Sequence, residues 1–189
     1  MKKISTSSRV IIAVTSLVIS AAYFFPVWRI DLFAPQYPEG LVLKIWLNNL
    51  KGDVDIINGL NHYIGMKKLN VEMFPEFTYL VYLVAGFILY GLVIAITGSR
   101  KILFSYLVVS VIGGILAIFD FYEWCYDYGH NLNPDAPIKV PGMAYQPPLI
   151  GHKKLLNFDA YSMPDVGGYV IIAVVFIAAI IWFLEYRKK

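Results

Sequence analysis

Histidine and methionine are the residues whose types and spacing point most directly to chemistry. His62 and Met66 are four apart, so on a helix their side chains share a face and could close on one metal ion. His62, His130 and His152, with Met66, Met73, Met143 and Met163, all fall in two long segments between apolar stretches. Imidazole and thioether together suit copper, above all Cu(I), which favours soft ligands. The other reading of the pair is ordinary. A His four residues from a Met arises by chance, and a buried Met is packing material.

A second constellation is acidic. Asp120, Glu123, Asp127 and His130 are spaced 0, 3, 7 and 10, which places them on one helical face. They could hold a hard cation or steer cations toward His130; acids at the outer end of a span are also ordinary solvated groups. Tyr122, Trp124, Tyr126 and Tyr128 around them read as an aromatic belt at lipid headgroups. Catalytic patterns are absent: the chain has no Gly-rich phosphate loop, no H-E-x-x-H, no Cys-x-x-Cys and no Gly-x-Ser-x-Gly. The lone Cys125 cannot form an internal disulfide. Nothing here indicates an enzyme or a nucleic-acid binder.

These residues must be positioned by membrane helices. Four apolar stretches, Val10–Val27, Phe77–Thr97, Ile102–Phe119 and Val166–Leu184, contain no charged residue. Each approaches the length of about 20 residues that spans a hydrocarbon core. The chain is 58% hydrophobic and 16% aromatic, with a mean hydropathy of +0.61, outside the range of an ordinary soluble domain. Gly86, Gly91 and Gly113-Gly114 read as sites of close helix packing. Lack of intramembrane charge argues against a proton-coupled transporter or channel, and lack of an intramembrane His argues against a haem-holding redox subunit.

Charge distribution orients the spans. Lys2, Lys3, Arg9, Arg100, Lys101, Arg187, Lys188 and Lys189 sit in the short segments, against the single acid Glu185. The long segments, 28–76 and 120–165, hold eight basic residues and twelve acidic ones. Positive charge stays inside. Both termini and the turn 98–101 are therefore expected in the cytoplasm, with both long loops outside. An uncleaved first span is favoured over a signal peptide, because its apolar run continues through Val27.

The expected fold is an all-α membrane protein: a four-transmembrane-helix bundle with a mixed, loop-rich extracytoplasmic cap. Its segments are 1–27, 28–76, 77–97, 98–101, 102–119, 120–165 and 166–189. Within the cap, Ala34–Gly40 reads as a turn-rich stretch and Leu41–Leu47 as the best strand. Asp53 reads as the N-cap of a helix over Asp55–Met66. The helix begun by the third span should stop beyond Gly129, and Pro134, Pro137, Pro141, Pro147 and Pro148 exclude a long element after it. Only His152–Tyr161 remains for a short strand.

Several strings in the outer loops are unusual. Asn58-Gly59-Leu60-Asn61-His62-Tyr63-Ile64-Gly65-Met66-Lys67 resembles a motif of small bacterial membrane proteins whose genes accompany the nitrous-oxide reductase maturation cluster, beside a copper-chaperone lipoprotein. So do Ala34–Leu41, Tyr128–Leu132 and Lys139–Gly151. The resemblance implies a copper-handling setting in denitrification, with copper chaperones or reductase-maturation proteins as partners. The matching strings hold His62, Met66, His130 and Met143, a two-His, two-Met set for Cu(I), with Asp120, Glu123 and Asp127 as cation-attracting neighbours. The expectation is an accessory protein of the bacterial inner membrane that binds or hands over copper on the periplasmic side. The rival is a metal-free assembly or docking subunit whose aromatic, Pro-rich cap binds a partner protein.

Overall fold

The structure is a computed structural model that describes residues 3–139, 142 and 144–188. Helix α1 runs over Thr6–Val18 and tightens into a 3₁₀ turn, Ile19–Tyr23, ahead of Pro26. Strands β1 (Trp28–Ala34), β2 (Tyr37–Ile45) and β3 (Leu50–Gly52) follow, then helix α2 (Val54–Ile64). Helices α3 (Glu76–Thr97) and α4 (Arg100–His130) are joined by Gly98 and Ser99. Strands β4 (Gly151–Leu155) and β5 (Phe158–Pro164) lead into α5 (Val166–Arg187). Among the described residues, four helices are long and apolar enough to cross a membrane: Thr6–Tyr23, α3, α4 and α5. That fits a membrane protein.

The all-α expectation is overturned. A five-stranded antiparallel sheet, in the order β3-β2-β1-β5-β4, makes this a mixed α/β fold. The reason is pairing across sequence: β1 from the first long segment bonds β5 from the second, Trp28 opposite Pro164 and Phe33 opposite Asp159. Trp28-Arg29, by residue type an interfacial anchor pair, is thus the start of a strand. Segment His152–Tyr161 holds most of a hairpin, turned at Leu156-Asn157. The turn-rich stretch shrinks to Pro35-Gln36, because β2 already begins at Tyr37. Asn157 Nδ2 donates to Gln36 Oε1 at 2.9 Å, tying the two hairpin tips together.

Strand alternation sorts the sheet faces. Ile30, Leu41, Leu43 and Leu50 bury on one face against Ile57 and Leu69, with Phe77 and Tyr128 from the tops of α3 and α4. Arg29, Asp31, Val42 and Lys44 take the other face. The sheet stands on the bundle, since Gly167 N–H donates to Pro26 O at 2.9 Å and Asp165 N–H to Val27 O at 3.2 Å. Leu47, between β2 and β3, drops among Ile19, Ala22, Val84 and Val174 of the helices.

The opposite end of the bundle carries the start of α1, the end of α5 and the α3–α4 turn. Glu185, only 2% exposed, accepts from Ser5 Oγ (2.6 Å), Ser8 Oγ (2.7 Å) and Lys188 Nζ (2.6 Å). Arg100 lies 3.7 Å from its second oxygen. Arg9 donates to Ala95 O and Ile96 O at 2.6 Å each, satisfying carbonyls that the end of α3 leaves open.

Of the glycines expected at close contacts, Gly91 alone makes one. A Cβ there would lie 1.9 Å from Ser16 Oγ of α1, whereas Gly86, Gly113 and Gly114 have nothing within 4 Å. Gly91→Ala is expected to destabilise the fold by about 1–3 kcal/mol by overpacking. Gly114→Ala should cost nothing. Thermal unfolding in detergent checks the pair; equal melting temperatures would reject the α1–α3 contact.

Candidate metal-binding cleft

Helix α2 presents two faces. Ile57 and Asn61 bury beneath it, and Leu60 packs on the cap core; Asp55, Gly59 and His62 take the outer side. Asp53 occupies the N-cap position without capping, because its carboxylate accepts from Val42 N–H at 2.8 Å instead. The C-terminus closes on Gly65, whose φ of +79° reverses the chain, as a left-handed residue can. Met66 N–H returns to Asn61 O at 3.0 Å.

That reversal brings the chain back along the helix. Asn58 holds it at two points, donating from Nδ2 to Leu69 O (2.9 Å) and accepting from Leu69 N–H (2.6 Å). Between helix and returning chain opens a cleft of about 390 Å³, lined by Asp55, Asn58, Gly59, His62, Met66 and Lys68. His62 and Met66, paired by spacing, share this cleft. Met66 also packs against the cap core, so its thioether joins the interior to the opening. The bare Gly59, with nothing within 4 Å of a Cβ, leaves room between Asp55 and His62. Asp55 and Lys68 escaped the sequence reading. Asp55 was findable, seven residues before His62 and thus on the same face.

The other candidates lie elsewhere. His130 ends α4, where its Nδ1 is 2.9 Å from Tyr126 O and its ring stacks on Tyr126 at 4.0 Å. It does not line the cleft. Met143 lies outside the described residues. The loop after α4 does reach α2: Asn133 N–H donates to Gly65 O (2.8 Å) and Ile138 N–H to Tyr63 O (2.9 Å). Asp127 pairs with Lys67 at 2.5 Å and accepts from Asn131, so it serves the joint between α4 and α2. Asp120 and Glu123 are exposed. His152 pairs with Asp159 (2.8 Å) and stacks on Tyr161 (4.6 Å), on the sheet face turned away from α2. Among the described residues, no three His, Cys, Asp or Glu side chains gather closely enough to hold a metal ion.

Chemically, the cleft offers one imidazole nitrogen, one thioether sulfur and, at its far end, a carboxylate. Two soft donors suit Cu(I) and leave coordination positions open. No protein-family model matches the chain, and no curated protein matches it.

Asn58→Ala is expected to cost about 1–3 kcal/mol, the net of two hydrogen bonds. It should also free Met66–Lys68 from α2. Amide exchange at Leu69 reads this directly, and unchanged protection would refute the clamp.

Proposed function

We propose that the chain is an accessory protein of the bacterial inner membrane that binds Cu(I) outside the lipid and hands it on. One observation carries the reading: His62 and Met66 line a single cleft open to solvent on a braced cap. Four of the six residues lining the cleft fall in the string 58–67, which resembles proteins encoded beside nitrous-oxide reductase maturation genes, so that pathway is the proposed setting. The positive-inside rule supports the orientation, with basic residues at the end that carries both termini and acids in excess around the cap. His62 and Met66 serve as ligands, Asp55 and the exposed Asp120 and Glu123 supply negative potential, and no bond of a substrate is made or broken. His130, which does not line the cleft, belongs to the proposed path of handover rather than to the resting pair.

A second reading has its own support. Tyr63 (55% exposed) and Ile138 (49%) are joined by a backbone hydrogen bond and form an apolar rim beside the cleft. Such a rim suits docking of a periplasmic partner, with metal or without it.

Titration of the purified chain with Cu(I) against a chromophoric chelator tests the site. His62→Ala and Met66→Ala should each weaken binding about tenfold or more, the loss seen even for residues behind a metal's ligands. His130→Ala should change affinity little. Binding should weaken as pH falls, because a protonated imidazole has no lone pair to give. Full-strength binding by the His62→Ala/Met66→Ala double variant would end the copper reading. Partner capture that survives a copper chelator would move the assignment to metal-free docking.

A further inference from the structure

We propose that Lys44 and Lys51, with Arg29 beside them, form a strip that binds the phosphate groups of anionic phospholipids in the leaflet beneath the cap. The register sets Arg29 opposite Lys44 and Lys44 opposite Lys51, so three cationic side chains share one row of the sheet's outer face. Neighbouring strands lie about 4.8 Å apart, which puts the whole row within about 10 Å. Like charges directly opposite one another destabilise a sheet. An anion resolves the conflict.

The fold answers only one of the three cations. Arg29 bonds Asp31 at 2.8 Å, a hydrogen bond that holds its guanidinium above its ordinary range against desolvation, and the charges of Asp31 and Asp165 add to it. Lys44 and Lys51 have no ion-pair partner among the described residues. Asp53, two residues from Lys51, turns its carboxylate to Val42 N–H.

Height selects the anion. The row lies one residue beyond Trp28, Ile45 and Leu50, about 3.3 Å from the strand ends that rest on the helices. Between the two lysines the chain dips so that Leu47 packs among Ile19, Ala22, Val84 and Val174. Lys51 Nζ sits 4.3 Å from the centre of the Trp46 ring, a Trp–Lys pairing suited to the headgroup layer. Two unpaired ammonium groups therefore flank a loop whose tip is seated between helices long enough to span lipid. Lys153 stands higher, level with Leu32 through Ala160 and four residues beyond Trp28. That is about 13 Å, farther than the screening length of about 8 Å at physiological salt.

The strip depends on the membrane reading of the four helices and not on copper, so the two proposals fail separately. The test places the full chain in nanodiscs of equimolar phosphatidylcholine and phosphatidylglycerol and counts retained lipids by native mass spectrometry. Phosphatidylglycerol should be retained preferentially. The Lys44→Gln/Lys51→Gln variant should lose that preference, by about fivefold per lysine, while Lys153→Gln/Lys154→Gln keeps it. Excess inorganic phosphate should leave retention unchanged. Equal retention of both lipids by the wild-type chain would overturn the strip, even if the double variant misfolds. So would an equal loss in the Lys153/Lys154 control, or displacement of phosphatidylglycerol by free phosphate.

Discussion

The pairing of β1 with β5 is the constraint on which the rest of the structure depends. It joins chain that has just left α1 to chain about to enter α5, with Trp28 opposite Pro164. Its lower end is bonded to the first turn of α5 through the carbonyls of Pro26 and Val27. Separately, the two outer segments would hold a three-stranded meander and a short hairpin, and isolated hairpins are marginal in water. Joined, they make one sheet wide enough to bury Ile30, Leu41 and Leu43 beneath α2. The sheet is thereby the floor on which α2, one wall of the cleft, packs.

The two ends of the bundle are closed by different physics. At the cap end, apolar side chains such as Leu47 and Leu80 run without a break from helices to sheet. At the other end, polar groups converge on Glu185 and on the last carbonyls of α3. A carboxylate that is 2% exposed is tolerable only because hydroxyls and an ammonium surround it. Ser5 does two jobs there, since its Oγ also accepts from Ser8 N–H as the N-cap of α1. Between these closures α4 is loosely held: Ile112, Ile115 and Leu116 are exposed, as residues facing lipid would be.

Much of this was legible in the chain because apolar length and helical spacing are local signals. The helices, the core of β2, α2 and the continuation of α4 to His130 all follow from periods and breakers read within a short window. The sheet did not follow, because β1 and β5 are separated by more than a hundred residues and neither shows its partner. Trp28-Arg29 has the residue types of an interfacial pair, and His152–Tyr161 reads as one short strand where the structure has a hairpin. Asp53 showed the limit of a local rule: a capping residue in the capping position was drawn off by a strand N–H. Likewise the His62–Met66 pair was readable from its spacing, whereas the place of His130 depends on how the end of α4 sits against α2, which no local period encodes.

The pairing of His62 with Met66 in one cleft bears on the kind of site proposed. Four soft donors closed around Cu(I) would hold it tightly and release it slowly. A donor pair at the mouth of an open cleft, His62 on α2 and Met66 just past its end, would leave a bound ion open to attack by an incoming ligand, so transfer could pass through a shared intermediate without prior dissociation. The geometry favours exchange in a second way. His62 is fixed by a helix whose buried face is locked through Asn61 and Tyr128, while Met66 lies just past the Gly65 reversal. One ligand is therefore held by the fold and the other by a turn that the Asn58–Leu69 clamp secures from beyond it. A site meant only to store metal gains from fixing both donors equally. A site meant to pass it on gains from one that yields first, and in the proposed site that donor would be the thioether.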